Sequence, residues 1–384
     1  MPETGPAILE IGVVLLAAAA AGWTARRVGL PAIVGYLAVG LVVSPFTPGY
    51  VADRHQLQLL ADVGVVLLLF EVGIEVDVAR IRREQGALLV LAPLQTVLTT
   101  AVAGLAFAAA GIEPAVAGLL GLAIAFSSSV VIVNITRSRR RTTDRPTEDA
   151  LLGWSVLQDI TGVAIAAALI AVVAPTGRPV PLALAGLAAF GALAVVAAFV
   201  LPRALRRLRN DHDLFLIVSV AVGLAVAGIG SVVFGMPLAL AAFVAGLALG
   251  ESHDASEARR RLLPFRDVFA VLFFVTVGTL IDPSALGTGL GWLALAIGLV
   301  IVAKVVPIML LARVGRVHAR PVQLGIGLGQ LGEFSFVLAS VALAAGRLDT
   351  PVYAGILGAV VVTIVLSTVV VRLVGQPVPA VPPA

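Results

Sequence analysis

The chain has 384 residues, of which 60% are hydrophobic and only 12% charged. Soluble proteins carry about 25% charged residues, so this composition excludes a soluble globular domain and points to a polytopic membrane protein. The net charge of +4 rests on basic residues placed between apolar runs, the pattern of an inner-membrane protein rather than of a nucleic-acid binder, and the absence of Cys excludes disulfides, iron–sulfur clusters and thiol catalysis.

Apolar runs recur from end to end and predict thirteen spans: 6–24, 29–45, 57–76, 86–110, 114–135, 149–173, 180–201, 213–233, 237–250, 266–281, 288–311, 321–345 and 351–374. The N-terminal region holds Glu3 and Glu10 and no basic residue, so no cleavable signal peptide is expected. The connections are brief, and residues 1–384 read as one membrane domain with a Pro-rich tail. Of the 26 Lys and Arg residues, only Arg54, Arg178 and Arg347 fall in even-numbered connections, and Lys304 lies within a span. All the others share the opposite side. The positive-inside rule then predicts an N-terminus outside and a C-terminus in the cytoplasm.

Two segments recur at a nearly constant offset. Leu30-Pro31 followed by Gly40-Leu41 is matched by Met236-Pro237 followed by Gly246-Leu247. The third span ends LLLFEVGIEVD at Asp77 and the tenth ends LFFVTVGTLID at Asp282, which aligns Gly73 with Gly278. An odd number of spans separates the copies, so they enter the membrane from opposite sides. Two inverted six-helix repeats are predicted, 6–173 and 213–374, joined by a linker helix at 180–201. This is the architecture of secondary transporters, whose sites lie where helices break near the midplane.

The same offset pairs the fifth span with the twelfth. The fifth contains Phe126-Ser127-Ser128-Ser129 at mid-depth, and the twelfth contains GIGLGQLGEF, with Gln330 and Glu333 among glycines. Each Gly costs a helix interior roughly 0.8–1.0 kcal/mol against Ala, so breaks are expected at both places. Gly327 to Gly332 also matches the dinucleotide fingerprint, but that motif works only after a β-strand, and no cofactor is expected.

Asp159 lies near the middle of the sixth span, within WSVLQDITGVAI. A carboxylate at a helix centre costs on the order of 2.5–3.5 kcal/mol to insert, and such residues are functional by default. Removal from water disfavours the charged carboxylate and a bound cation favours it again. Proton and cation therefore compete for one group, which suffices for exchange. Gln158 offers a neutral oxygen that can coordinate a cation without titrating. Lys304, the only lysine, sits in the eleventh span three residues before Pro307. Its amine either belongs to a core charge network with Glu333 and Gln330 or snorkels to the surface. Asp62 and Glu71, nearer the ends of the third span, are expected to face a vestibule.

LPAIVGYLAVGLVVSPFTPG, LADVGVVLLLFEVGIEVD, AIAFSSSVVIVN, SVLQDITG, FFVTVGTLID and GQLGEFSFVLAS together resemble the membrane domain of Kef-type monovalent cation:proton antiporters of the cation:proton antiporter 2 family. The resemblance covers essentially the whole chain. It implies an all-α sodium/proton antiporter-like fold, with crossed unwound helices in a six-helix core that moves against a dimerisation panel, and a homodimer. By motif position Asp159 matches the ion-carrying aspartate, Gln158 the residue before it, and Ser127, Ser128 and Ser129 one crossover; Gln330 to Glu333 fall at the other. Electrogenic relatives carry paired aspartates where this chain has Gln158-Asp159, so electroneutral exchange is expected. Full-length Kef proteins continue into a cytosolic nucleotide-binding domain; none is expected here, leaving a separate cytosolic regulatory subunit as a possible partner.

The expected function is exchange of Na⁺ or K⁺ for protons by alternating access in the plasma (inner) membrane, with Asp159 binding each ion. The partners are monovalent cations, protons and lipid, with no nucleic acid. The alternative is a cation-selective efflux channel. An enzyme is not expected, since no span holds His or Cys.

Overall fold

The computed structural model describes residues 4–30, 32–47, 54–75, 86–128, 131–132, 143–173, 180–208, 211–234, 238–250, 255–279 and 283–374. These residues form helices α1 (Thr4–Arg27), α2 (Ala32–Val42), α3 (Arg54–Glu75), α4 (Leu88–Ala109), α5 (Pro114–Ala125), α6 (Arg145–Val173), α7 (Val180–Leu208), α8 (His212–Val232), α9 (Leu238–Gly250), α10 (Ala255–Thr279) and α11 (Pro283–Leu299). A π-helical turn, Val300–Val305, leads into α12 (Val306–Val314), which is followed by α13 (Pro321–Leu328), α14 (Glu333–Ala344) and α15 (Thr350–Val374). Each predicted span contains a described helix, and among the described residues seven helical stretches are long and apolar enough to cross a membrane.

Two departures from the predicted spans have physical causes. The tenth begins at Ala255 rather than 266, because an amphipathic, Arg-rich stretch continues the helix beyond its apolar part. The eleventh is interrupted by the π-turn immediately before Pro307. Proline has no N–H to give the carbonyl four residues back and crowds that turn, and a π-turn is one way a helix absorbs the defect.

The chain divides into two compact units, each drawing on both halves of the sequence. The first comprises Met1–Ala25, Ala32–Asp77 and Thr176–Asp282. Within it α3 packs against α9 and α10, and α2 packs against α10. The glycines of the recurring motifs make these crossings. A Cβ on Gly73 would stand 2.3 Å from the Phe243 carbonyl oxygen, and one on Gly246 would stand 2.1 Å from that of Phe70. Gly40 and Gly278 meet in the same way, facing the carbonyl oxygens of Val275 and Leu37 at 2.0 and 2.4 Å. Small residues let backbones approach where lipid supplies no hydrophobic drive between helices. Each copy of the first motif thus packs on the opposite copy of the second.

Glu71 does not face a vestibule. It is 1% exposed and ion-paired to Arg259 at 2.5 Å and Arg266 at 2.8 Å. A desolvated carboxylate persists only when paired in this way. Asp62 is partly buried in α3.

The second unit comprises Arg26–Pro31, Val78–Pro175 and Pro283–Ala384. Here the fifth and twelfth spans are interrupted, as their sequences predict. α5 stops at Ala125, with Phe126 extended (φ −70°, ψ 140°), and Gly329 to Gly332 separate α13 from α14. The Asp159-bearing helix, α6, is clasped at both ends. At its start Asp144 pairs with Arg320 at 2.8 Å, and the Arg320 N–H donates to Thr147 Oγ1 at 2.9 Å. Burial alone would raise the Asp144 pKa, but hydrogen bonds from Thr147 and the charge of Arg320 hold it below the usual carboxylate value, so this clasp stays ionised at neutral pH. At the other end Arg347, placed by the left-handed turn at Gly346 (φ +67°), pairs with Glu113. It also donates to the carbonyls of Val172 and Val173 at 2.8 and 3.1 Å, satisfying acceptors left over at the end of α6.

Gly246→Ala is expected to cost about 1–3 kcal/mol, the penalty of overpacking a close contact, read as a lowered thermal unfolding temperature in detergent. Gly298→Ala, where an added Cβ meets nothing within 4 Å, should leave stability unchanged or raise it by up to about 1 kcal/mol. Equal responses would refute the close-approach argument.

Candidate functional site

The two interruptions in the second unit bond directly to each other. The Gly332 N–H donates to the Phe126 carbonyl at 3.2 Å. The Gln330 amide reads the backbone of Ser128 on both sides: its Oε1 accepts from Ser128 N at 2.7 Å and its Nε2 donates to Ser128 O at 3.2 Å. Ser127 Oγ donates to Leu328 O at 2.8 Å, and Ser335 Oγ donates to Ala123 O at 2.6 Å. From α15, Thr363 Oγ1 accepts the Leu331 N–H at 3.1 Å and Ser367 Oγ donates to Ile326 O at 2.7 Å. Unwound backbone at membrane depth must be satisfied by protein in this way. The crossing also requires glycine, since a Cβ on Gly332 would lie 2.8 Å from the Ser127 carbonyl group.

Lys304 completes the crossing. It is 0% exposed, so it does not snorkel. Its Nζ donates to Phe126 O and Gln330 O, both at 2.7 Å. These carbonyls lie just past the C-terminal ends of α5 and α13, where orphan acceptors and the negative ends of two helix dipoles coincide. The expected network is therefore anchored on backbone: Lys304 holds the main-chain carbonyl of Gln330, while the Gln330 side chain serves Ser128. Glu333 opens α14, and its side chain lies outside the described residues, as does Ser129.

Asp159 is 2% exposed on α6, close enough for its charge to act on Lys304. Phe126 packs its ring on α6 at Gly162, where a Cβ would stand 2.3 Å from the ring, and stacks on Phe334 with centroids 4.7 Å apart. The first interruption is thereby seated against the Asp159 helix. Ser127 and Ser128 are buried, with the Ser127 hydroxyl bonded to Leu328 and Ser128 Oγ accepting from Val131 N at 3.3 Å.

Three further residues of this region do not stand out in the sequence. Ser155 lies one turn before Asp159 and is buried, and its hydroxyl has no hydrogen-bond partner among the described residues. Gln95 and Thr99, both fully buried on α4, bond toward α6 and toward the π-turn. The sequence signal for the last two is a glutamine and a threonine four apart in an apolar span, neither of them ionisable.

The profile of the family described as "Sodium/hydrogen exchanger, transmembrane" matches residues 13–375. The chain belongs to that family. It is 29% identical over 97% of its length, and 69% of the relative's, to an Escherichia coli protein named "Putative cation/proton antiporter YbaL". Among solved structures it is similar to the sodium proton antiporter MjNhaP1 from Methanocaldococcus jannaschii at pH 8, with TM-score 0.77, 18% identity, and 97% and 98% of the two chains covered. An electron-microscopy structure of the same protein gives TM-score 0.73 at 17% identity, with 97% and 96% covered. The exchanger chain described here thus has the antiporter fold and is a multi-pass secondary transporter; family and fold are those of a transporter rather than an enzyme.

Lys304→Met would strip the donor from two buried carbonyls and the counter-charge from Asp159. It is expected to destabilise the exchanger by about 2–4 kcal/mol, and Lys304→Gln, which keeps an N–H donor, by less. Thermal unfolding in detergent is the measurement. Wild-type stability in the Met variant would show that the crossing does not depend on the amine.

Proposed function

We propose that the protein exchanges a monovalent cation, Na⁺ or K⁺, for protons by alternating access, with Asp159 binding each ion in turn. One observation carries this reading: a carboxylate almost wholly removed from water lies on the helix that seats two bonded helix interruptions. Partial charges at such interruptions are what transporters direct at ions. Proton and cation each neutralise Asp159, and the empty charged site is the form least able to move. Gln158 cannot titrate, so one proton exchanges for one monovalent cation and transport is electroneutral. Ser127, Ser128 and Ser155 supply further oxygens, and Ser129, next in sequence to Ser128, belongs to the same proposal.

The inverted repeats 6–173 and 213–374, joined by the 180–201 linker, and with them thirteen crossings, belong to the same proposal. The reciprocal packing of Gly40 with Gly278 and of Gly73 with Gly246 supports it. So does the placement of interruptions at matching points of the two halves. The pairs Asp144–Arg320, Glu113–Arg347 and Glu71–Arg259 each join residues that the arginine pattern assigns to one side. This supports the alternation of sides, and the positive-inside rule then puts the N-terminus outside and the C-terminus in the cytoplasm. Assembly as a homodimer in the plasma membrane accompanies the family reading.

Purified protein in liposomes carrying a pH dye should dissipate a preset proton gradient when cation is added, and Asp159→Asn should abolish the response. Full activity in the Asn variant would overturn the mechanism. Cation flux undiminished without any proton movement would favour a channel, and a clamped voltage that leaves the rate unchanged would support electroneutrality. Because the chain has no Cys, single cysteines report orientation directly. An impermeant maleimide added to intact cells should label Thr176→Cys and spare Arg82→Cys, and the reverse would invert the topology.

A further inference from the structure

Trp154 Nε1 and the carbonyl of Ala303 stand at the two ends of a buried hydrogen-bond chain through Gln95 and Thr99. The indole N–H can only donate, so the Gln95 atom 3.1 Å from it is the amide oxygen. That oxygen also receives the Gln158 side chain at 2.5 Å, so Gln158 must turn its NH₂ toward Gln95. The Gln95 nitrogen then donates to Thr99 Oγ1 at 2.8 Å, and the Thr99 hydroxyl donates to Ala303 O at 2.6 Å. A carbonyl can only accept, so the direction of the chain is set independently from both ends. The Ala303 carbonyl is available for this bond because the residue four positions on is Pro307, which has no N–H.

The consequence falls on Gln158. With its nitrogen committed to Gln95, its Oε1 faces away from Gln95; it is buried and has no hydrogen-bond partner among the described residues. Ser155 lies three residues before Gln158 and four before Asp159 on α6, so it neighbours both, and the three occupy one arc of the helix face centred on Ser155. A rotated Gln158 amide would present NH₂ on that face instead, repelling a cation and competing for the carboxylate.

We propose that Gln95, held between Trp154 and Thr99, is a positioning residue that fixes Gln158 as an oxygen ligand for the transported cation and so sets the cation affinity of the site. The inference rests on the antiport reading above and deepens it. Outer-shell groups that orient a ligand are worth about 10–100-fold in ion affinity.

The test uses the full chain in liposomes, with Na⁺ and K⁺ each titrated as the driving cation. Gln95→Met is expected to raise the apparent cation KM on the order of tenfold, with a smaller fall in maximal rate. In a Gln158→Met background the same change should alter KM by less than about twofold, because an effect transmitted through Gln158 cannot be additive with its loss. An unchanged KM in Gln95→Met, or the same increase in both backgrounds, would overturn the proposal and leave Gln95 a packing residue. If Gln95→Met fails to fold, Thr99→Val, which removes the acceptor holding the Gln95 nitrogen, must raise KM several-fold, and a wild-type KM there overturns the proposal equally. Absence of cation-driven proton movement in the wild type would instead count against antiport itself, so the two failures are distinguishable.

Discussion

Peptide groups released by unwinding a helix find no water at membrane depth, and each must be answered by the protein itself. Most of the second unit can be understood as that answer. The interruption at Phe126 to Ser128 and the one at Gly329 to Gly332 supply partners to each other through Gln330, Ser127 and Gly332. Hydroxyls from α15 take up further groups. Lys304 supplies the remaining donor, at the point where two half-helices direct their negative ends. A lysine suits the position because its compact ammonium offers three rotatable donors, two of which reach carbonyls belonging to different helices.

Chemistry follows from the same arrangement. The bonds that hold the interruptions together run between backbone groups and the side chains of Gln330, Ser127 and Lys304, and the antiport reading assigns the ions to Asp159 rather than to these groups. The flanking helix α6 is fixed by an arginine at each end and by the Phe126 ring at Gly162. Asp159 therefore sits on a rigid element, which holds a side chain in more defined geometry than an adaptable loop would.

Polarity, rather than proximity alone, organises the surroundings of Gln158. An amide side chain can present either of its ends, and nothing in the Gln-Asp pair specifies which. The indole of Trp154 and a carbonyl exposed by Pro307 make that choice from opposite directions. The π-turn, Gln95 and the Trp154 and Gln158 side chains of α6 are thereby joined in one hydrogen-bonded chain that ends one residue from Lys304.

Sequence alone was sufficient for the membrane class, for the position of nearly every helix, for both interruptions and for placing Asp159 inside a long apolar helix. Each of these depends on local composition: an apolar run long enough to span, glycines and serines that weaken a helix, a carboxylate where insertion is costly. Residues far apart in the chain escaped it. Glu71 looks in sequence like a vestibule carboxylate, and only packing brings Arg259 and Arg266 onto it. Lys304 stands out in sequence as the only lysine, yet its partners are main-chain carbonyls of Phe126 and Gln330, which carry no side-chain signature. Gln95 and Thr99 are neutral and unremarkable in an apolar span. Their importance arises from the direction of hydrogen bonds to α6 and the π-turn, a property of three-dimensional arrangement that no single segment contains.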